Sequence, residues 1–264
     1  MKPFQRFFIN EQECVQSGFY IFVFMETLQT IMGRNSNHEY TCHDLVKGLC
    51  DIYSKPHDEN SLTRLFDEIA VGLLRQSKIV TPNEHFFIRE IEFYFYNQEF
   101  HPDPFAHSFT NKENRQKHFG EWYFHRYKDL KPFLNCTWNG VDITFGDEQH
   151  GSFGGILIRK IQNAITGDQI KGINRVVRAL IKNIGEDNTG AMNDLALGFG
   201  QKVFNKNQLL HLEVANNNFS VPIYKTQRNN LGKKKTEGTE KFLELSYCYY
   251  NHDLEKFQKK EFVR

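Results

Sequence analysis

The stretch Phe86-Phe87-Ile88-Arg89-Glu90-Ile91-Glu92-Phe93-Tyr94-Phe95-Tyr96 alternates polar and apolar residues from Arg89 to Phe93 and predicts a β-strand. Successive side chains of a strand point to opposite faces, so Glu90, Glu92 and Tyr94 share one side. Their neighbours are mostly Phe and Ile. A carboxylate in such surroundings is costly unless it has a partner or a chemical task. The plainer reading is an edge strand with its polar face in water.

Working outward, Ser61 opens a helix that places Leu62, Leu65, Phe66, Ile69, Ala70 and Leu73 on one face. Further upstream, helices are predicted over Glu11–Ile31, stopped by Gly33, and over Asp44–Tyr53, ended before Pro56. Downstream, strand patterns recur at Trp122–Tyr127, Gly140–Phe145, Gly155–Ile161 and Phe242–Tyr250, and helical ones at Gly172–Ile181 and Met192–Leu197. Residues 97–118 carry loop signals, and Arg228–Gly238 reads as an exposed basic loop. Strands mixed with helices at irregular spacing indicate an α+β fold without a βαβ repeat. A boundary near residues 57–60 divides an N-terminal helical extension, 1–57, from a main domain, 58–264.

A chain of 264 residues is ample for one large core. Mean hydropathy is −0.58, and the longest apolar run, Phe19–Met25, is far too short to span a membrane. The N-terminus lacks a signal-peptide pattern. Five scattered cysteines without a C-x-x-C pair point to a reducing cytoplasm. The net charge of +1 hides an asymmetry. Residues 1–154 carry 15 Lys+Arg against 21 Asp+Glu, and residues 155–264 carry 18 against 11. A basic second half suits a polyanion, although ordinary charge scatter produces such a balance too. Aromatic residues make up 14% of the chain, including 25 Phe and 11 Tyr, which suits a large aromatic core or a stacking surface.

Three further stretches carry chemistry. In His101-Pro-Asp-Pro-Phe-Ala-His107 two prolines stiffen a loop that presents His107. His101-x-Asp103 also has the spacing of two ligands of a non-haem iron triad, with His150 or His211 as the third. In Gly120–Tyr127, alternation puts Tyr123, His125 and Tyr127 on one side, opposite Trp122, Phe124 and Arg126. The first set suits a planar heterocycle, the second a core. The apolar run Gly154–Ile158 ends at Arg159, a residue suited to a carboxylate partner or an anion. Phosphate-binding glycine loops and the G-x-S-x-G nucleophile turn are absent from the sequence.

In this order the segments resemble one family, the alkyladenine (methylpurine) DNA glycosylases. Leu62–Leu74 resembles its first core helix, Glu90-Ile-Glu-Phe-Tyr94 its E-x-E-x-Y strand, and Asp103–Ser108 its D-x-x-x-H-S loop. Gly120–Tyr127 resembles its aromatic strand, Gly154–Ile161 its V-L-I-R-A segment, and Gly172–Leu180 its G-P-x-x-L-x-x-A-L helix. Gln227–Gly232 and Phe242–Asn251 resemble its closing R-x-G segment and final strand. The resemblance covers residues 60–251 and implies a curved mixed or antiparallel sheet flanked by helices.

It also implies roles. Glu92 is the general base that activates water against the sugar C1′, and Arg159 holds that water or a phosphate. Tyr94 and His107 sandwich an extruded base. His125 stands where the family usually has a third aromatic, and Asp142 where it often has an asparagine facing the base edge. Tyr127 or Lys128 wedges into the DNA stack. The implied activity is that of a monofunctional DNA N-glycosylase, without metal or cofactor, acting as a monomer on duplex DNA with a flipped base. Water attack needs one carboxylate, and the basic second half, with Lys233, Lys234 and Lys235, would follow phosphates. An acceptor-only side chain at Asp142 favours a base rich in donors, such as a hypermodified base of phage DNA excised in defence. Repair of alkylated purines is the alternative substrate reading, and a non-catalytic nucleic-acid-binding protein is the alternative of another class. The expected setting is the bacterial cytoplasm and nucleoid, or the nucleus of a eukaryote.

Overall fold

The computed structural model describes residues 42–54, 58–106, 115–126, 139–184, 202–214, 222–231, 238–251 and 261–263. All of them lie in the compact unit Tyr40–Arg264. The fold is α+β: an antiparallel sheet curled into a half-barrel, with a few flanking helices. The strands are β1 Ser77–Val80, β2 His85–Asn97, β3 His101–Pro102, β4 Phe119–Arg126, β5 Asn139–Phe145, β6 Ser152–Asn163, β7 Gln169–Lys171, β8 His211–Val214, β9 Ile223–Thr226, β10 Cys248–Tyr250 and β11 Glu261–Val263. The main path runs β11-β9-β10-β2-β6-β5-β4, so the decisive stretch is a central strand and not an edge. The helices are α1 Cys42–Ser54, α2 Glu59–Gln76, α3 Ile173–Asn183 and the short α4 Glu240–Glu244.

Helix α2 begins where Asp58 caps it, accepting a 2.7 Å hydrogen bond from the Ser61 amide. It ends where Ser77 turns extended and starts β1. Its buried face, with Leu62, Phe66, Ile69, Leu73 and Leu74, lies on the sheet face that carries Ile91, Phe93 and Phe95. The Phe66 and Phe93 rings stack at 4.3 Å. From α3 come Val176, Val177, Leu180 and Ile181. Leu45, Leu49 and Ile52 of α1, which the sequence reading assigns to the extension, join the same core. Among the described residues no helix is long and apolar enough to cross a membrane.

Simple alternation fails at one place along β2 and β6. Ile88 faces Ile161, Glu90 faces Lys160, and Ile91 faces Ile158, so Arg89 and then Arg159 are skipped in the ladder. Ile88 and Ile91 are three residues apart, as are Ile158 and Ile161, yet all four are fully buried in one core. Only a bulge on each strand allows this. The burial of four isoleucines thus sets the irregularity, and Arg159 stands at its centre.

Phe242–Tyr250 is not one strand. Phe242 belongs to α4, packed edge-on to the His101 ring at 5.3 Å, and the strand is confined to Cys248–Tyr250. Within the expected loop 97–118 lie β3 and a 3-10 turn, Arg115–Lys117. The helices expected at Glu11–Ile31 and Met192–Leu197 lie outside the described residues.

Candidate active site

Across the sheet, register sets one transverse row. Cys248 lies opposite Glu92, Glu92 opposite Leu157, Leu157 opposite Asp142, and Asp142 opposite Tyr123. Directly paired residues project from the same face. This face is opposite the helix-covered core, because Ile91 and Phe93, the neighbours of Glu92, belong to that core. The polar residues of β2, β5 and β4 therefore gather on one side.

Glu92 is fully buried. Its Oε1 accepts hydrogen bonds from the Asn229 backbone amide at 2.7 Å and from Asn229 Nδ2 at 2.9 Å. Its Oε2 accepts from the Tyr94 hydroxyl at 2.9 Å and from Arg159 Nη1 at 3.1 Å. Arg159 Nε donates to Glu90 Oε1 at 3.0 Å, so one guanidinium ties the two carboxylates together. Burial alone would lower the Arg159 pKa, but the charges of Glu92 and Glu90 outweigh it and hold the value above the ordinary one. Burial, and then the Glu92 charge, push the Tyr94 hydroxyl well above its usual range, so it is a proton donor near neutrality. Burial and the same carboxylates keep Cys248 a thiol.

Under Tyr94 lies a second ion pair. Arg228 Nη1 donates to Asp103 Oδ2 at 2.6 Å and to the Phe93 carbonyl at 3.2 Å, and Nη2 donates to the Phe242 carbonyl at 2.9 Å. Both charged side chains are wholly buried. The guanidinium carbon sits 4.8 Å from the Tyr94 ring centroid, so the ring is backed by a fixed cation. Asn230, at φ 63°, makes the left-handed turn that follows Asn229, a conformation asparagine tolerates.

At the other end of the row, Asp142 Oδ2 accepts from Gln116 Nε2 at 2.8 Å, and Asp142 Oδ1 lies 3.1 Å from His125 Nε2. Two glycines make room for this group. A Cβ on Gly140 would fall 2.5 Å from His125 Cε1, and one on Gly155 would fall 2.5 Å from Gln116 Nε2 and 2.8 Å from Asp142 Oδ2. The Cε1–Nε2 edge of the His125 imidazole therefore occupies the space that a side chain at Gly140 would fill.

The structure thus brings Glu92, Arg159 and Tyr94 into one hydrogen-bonded group and His125 and Asp142 into another, with Leu157 between them. His107, Tyr127, Lys128, Lys233, Lys234 and Lys235 lie outside the described residues. The sequence reading did not single out Gln116, Asn229 or Arg228 as members of these groups. Asn229 stands 137 residues from Glu92, and no local pattern signals it. The iron ligands do not assemble. Both Asp103 oxygens are engaged, one by Arg228 and the other by the Phe105 amide at 3.0 Å. His150 bonds Asp147, and His211 bonds the Gln208 carbonyl and Glu213. No group of three or more metal-binding side chains occurs among the described residues.

His101 offers a stability test. It is buried, stacks on Phe95 at 5.8 Å, and its Nε2 has no hydrogen-bond partner. Burial, then the charges of Arg228 and Lys241, lower its pKa from 6.5 to about 3. The unfolded chain binds the extra proton between those values, so stability falls as pH drops from about 6.5 towards 3. At about 1.4 kcal/mol per pH unit the loss is on the order of 3–5 kcal/mol. Urea unfolding of wild type and His101→Phe at pH 7 and pH 4.5 should show a smaller pH effect in the variant; parallel losses would refute this account.

No family model matches the chain, and no solved structure matches it. The chain is 27% identical over 202 residues to an uncharacterized protein of Acanthamoeba polyphaga mimivirus. The match takes in 72% of this chain and 88% of the viral protein.

Proposed function

We propose that this protein is a monofunctional DNA N-glycosylase whose catalytic face is the polar side of the β2–β6–β5–β4 sheet. The observation that carries the reading is the environment of Glu92: a fully buried carboxylate on a central strand, joined to Arg159, Tyr94 and Asn229. Such a group is held in one orientation and suits a general base. Glu92 accepts a proton from water, whose oxygen attacks C1′ of an extruded nucleotide. Tyr94, stiffened from below by Arg228, offers its ring for stacking against the flipped base. Arg159 keeps the pair of carboxylates from repelling each other and lies ready to hold the water.

The partner is duplex DNA with one base turned out, bound by a single copy of the chain wherever the genome is kept. The substrate is a modified or damaged base, either hypermodified phage DNA in defence or an alkylated purine in repair. Asp142 is 2% exposed and engaged by two protein donors, whereas the His125 side chain is 13% exposed. A base edge arriving here meets His125 first.

A second reading, a nucleic-acid-binding protein without catalysis, has one observation in its favour: each oxygen of Glu92 already has two donors. The two are separated by incubating the protein with duplexes carrying alkylated purines, hypoxanthine or hydroxymethylated and glucosylated cytosine. Alkaline strand cleavage and mass spectrometry of the freed base provide the readout. Release of an intact base and an abasic site is the expected result. Tight DNA binding without any base release would establish the second reading.

A further inference from the structure

We infer that the exposed side of helix α3 is a contact surface for the phosphate backbone of nucleic acid, on the side of the sheet opposite Glu92. It goes beyond the glycosylase reading, because this surface lies away from the catalytic face and takes no part in base release.

The placement follows from the two sides of the helix. Val176, Val177, Leu180 and Ile181 of α3 enter the core that Ile91 and Phe93 also occupy. At 3.6 residues per turn, Arg175, Arg178 and Lys182 fall within about 60° of arc on the other side of the helix. All three are exposed. Lys171, also exposed, ends β7 just before the Gly172 cap. Glu92 projects from the opposite face of the sheet, so the basic stripe points away from it.

This stripe works against its own helix. Arg175 stands three residues before Arg178, and Arg178 four before Lys182, spacings at which helical side chains are neighbours. Like charges at those spacings weaken a helix, and α3 contains no acidic residue to offset them. Lys171 and Arg175 stand at the amino end, where the helix dipole disfavours cations, and Gly172 supplies no side-chain cap. Only Lys182 occupies the end that favours it. A merely solvated surface mixes charges of both signs. Here a single sign is held at a local cost, which an anion from outside would relieve.

The form of the array selects the kind of anion. From Arg175 to Lys182 the helix rises about 10 Å. One strand of a duplex carries a phosphate every 3.4 Å or so along its axis, so the stripe matches about two or three phosphates. Two of the three cations are arginines, whose fork pairs with phosphate oxygens. An acidic protein would also require an apolar centre to its interface. The exposed side of α3 offers none: the large exposed apolar residues among the described ones are Ile165 and Leu209, both outside the helix. Part of the excess of 18 Lys+Arg over 11 Asp+Glu in residues 155–264 therefore has a place and a use.

The test compares the full chain with Arg175→Gln/Arg178→Gln/Lys182→Gln and with a control losing the same charge elsewhere, Lys47→Gln/Arg64→Gln/Lys206→Gln. Fluorescence anisotropy follows binding to a short undamaged duplex between about 50 and 200 mM salt. The slope of log K against log salt should be shallower by about 2–3 in the stripe variant. Across that range wild type should then lose roughly 10–40-fold more affinity than the variant. The control should keep the wild-type slope. With its like charges gone, the stripe variant should melt no lower than wild type. An unchanged slope, or no duplex binding by wild type, would overturn the inference. A control that flattens the slope equally would do the same by showing that total charge alone acts. A lower melting temperature would mean that the stripe pairs within the chain, again contrary to the inference. Binding of labelled polyglutamate that the stripe variant weakens as much as duplex binding would assign the surface to an acidic protein instead. None of these outcomes bears on Glu92, whose role is read separately by base release.

Discussion

Glu92→Gln should lower base release by about 10²–10⁴-fold while duplex affinity stays within a few-fold of wild type. The amide has nearly the size of the carboxylate, so the strand register should persist. Two amide hydrogens of Asn229 require an acceptor, so the Gln oxygen takes the place of Oε1. The new NH2 group then replaces Oε2, facing the Tyr94 hydroxyl and Arg159 Nη1. Tyr94 can turn to accept, but a guanidinium only donates. Arg159 retains Glu90, so the group loosens and does not collapse. The stability cost of the misplaced donor is about 1–3 kcal/mol. Base release is therefore measured with enzyme in excess, well below the melting temperature of the variant, alongside binding to an abasic duplex. Turnover near that of wild type on a confirmed substrate would remove Glu92 from the role of base.

The largest effect on stability should come from Arg228→Met. The substitution preserves much of the stem but leaves Asp103 buried, charged and without its 2.6 Å partner. It also strips the Phe93 and Phe242 carbonyls of a donor and removes the cation behind Tyr94. Breaking a buried pair on one side costs about 3–5 kcal/mol. For a domain of this size each kcal/mol lowers Tm by about 2–4 °C, so a fall of roughly 6–20 °C is expected. Removing both charges is different, since no uncompensated ion remains. Arg228→Met combined with Asp103→Leu should recover most of the loss. Chemical denaturation of the two single variants and the double variant checks this. A single variant as stable as wild type, or a double variant no better than the worse single one, would show that the pair does not organise this corner.

The strand at 86–96 and its division into two faces were legible because burial imposes a two-residue period on any strand with one covered face. The same holds for α2, where a 3.6-residue apolar period and Asp58 mark the body and the start. The pairing of Glu90, Glu92 and Tyr94 on one side follows from that period. So does the division of β4 into Trp122 and Phe124 against Tyr123 and His125. Helix α4 escaped because residues 240–250 lack a clean period of either kind, and its place is set by Phe242 packing against His101.

The amino-acid sequence by itself determined the α+β class, the strand that carries the carboxylates and the face they share, since these depend on local periodicity. Tertiary structure alone decided which partners those residues have. Arg159 reaches both glutamates because four isoleucines, Ile88, Ile91, Ile158 and Ile161, can enter one core only through paired bulges. Asn229 meets Glu92, and Arg228 meets Asp103, across separations of 137 and 125 residues. Asp142 turns to Gln116 and His125 because Gly140 and Gly155 leave space there. A buried charge must be matched wherever the chain happens to bring a donor, and that place is set by the folding of the whole sheet, not by neighbours in sequence.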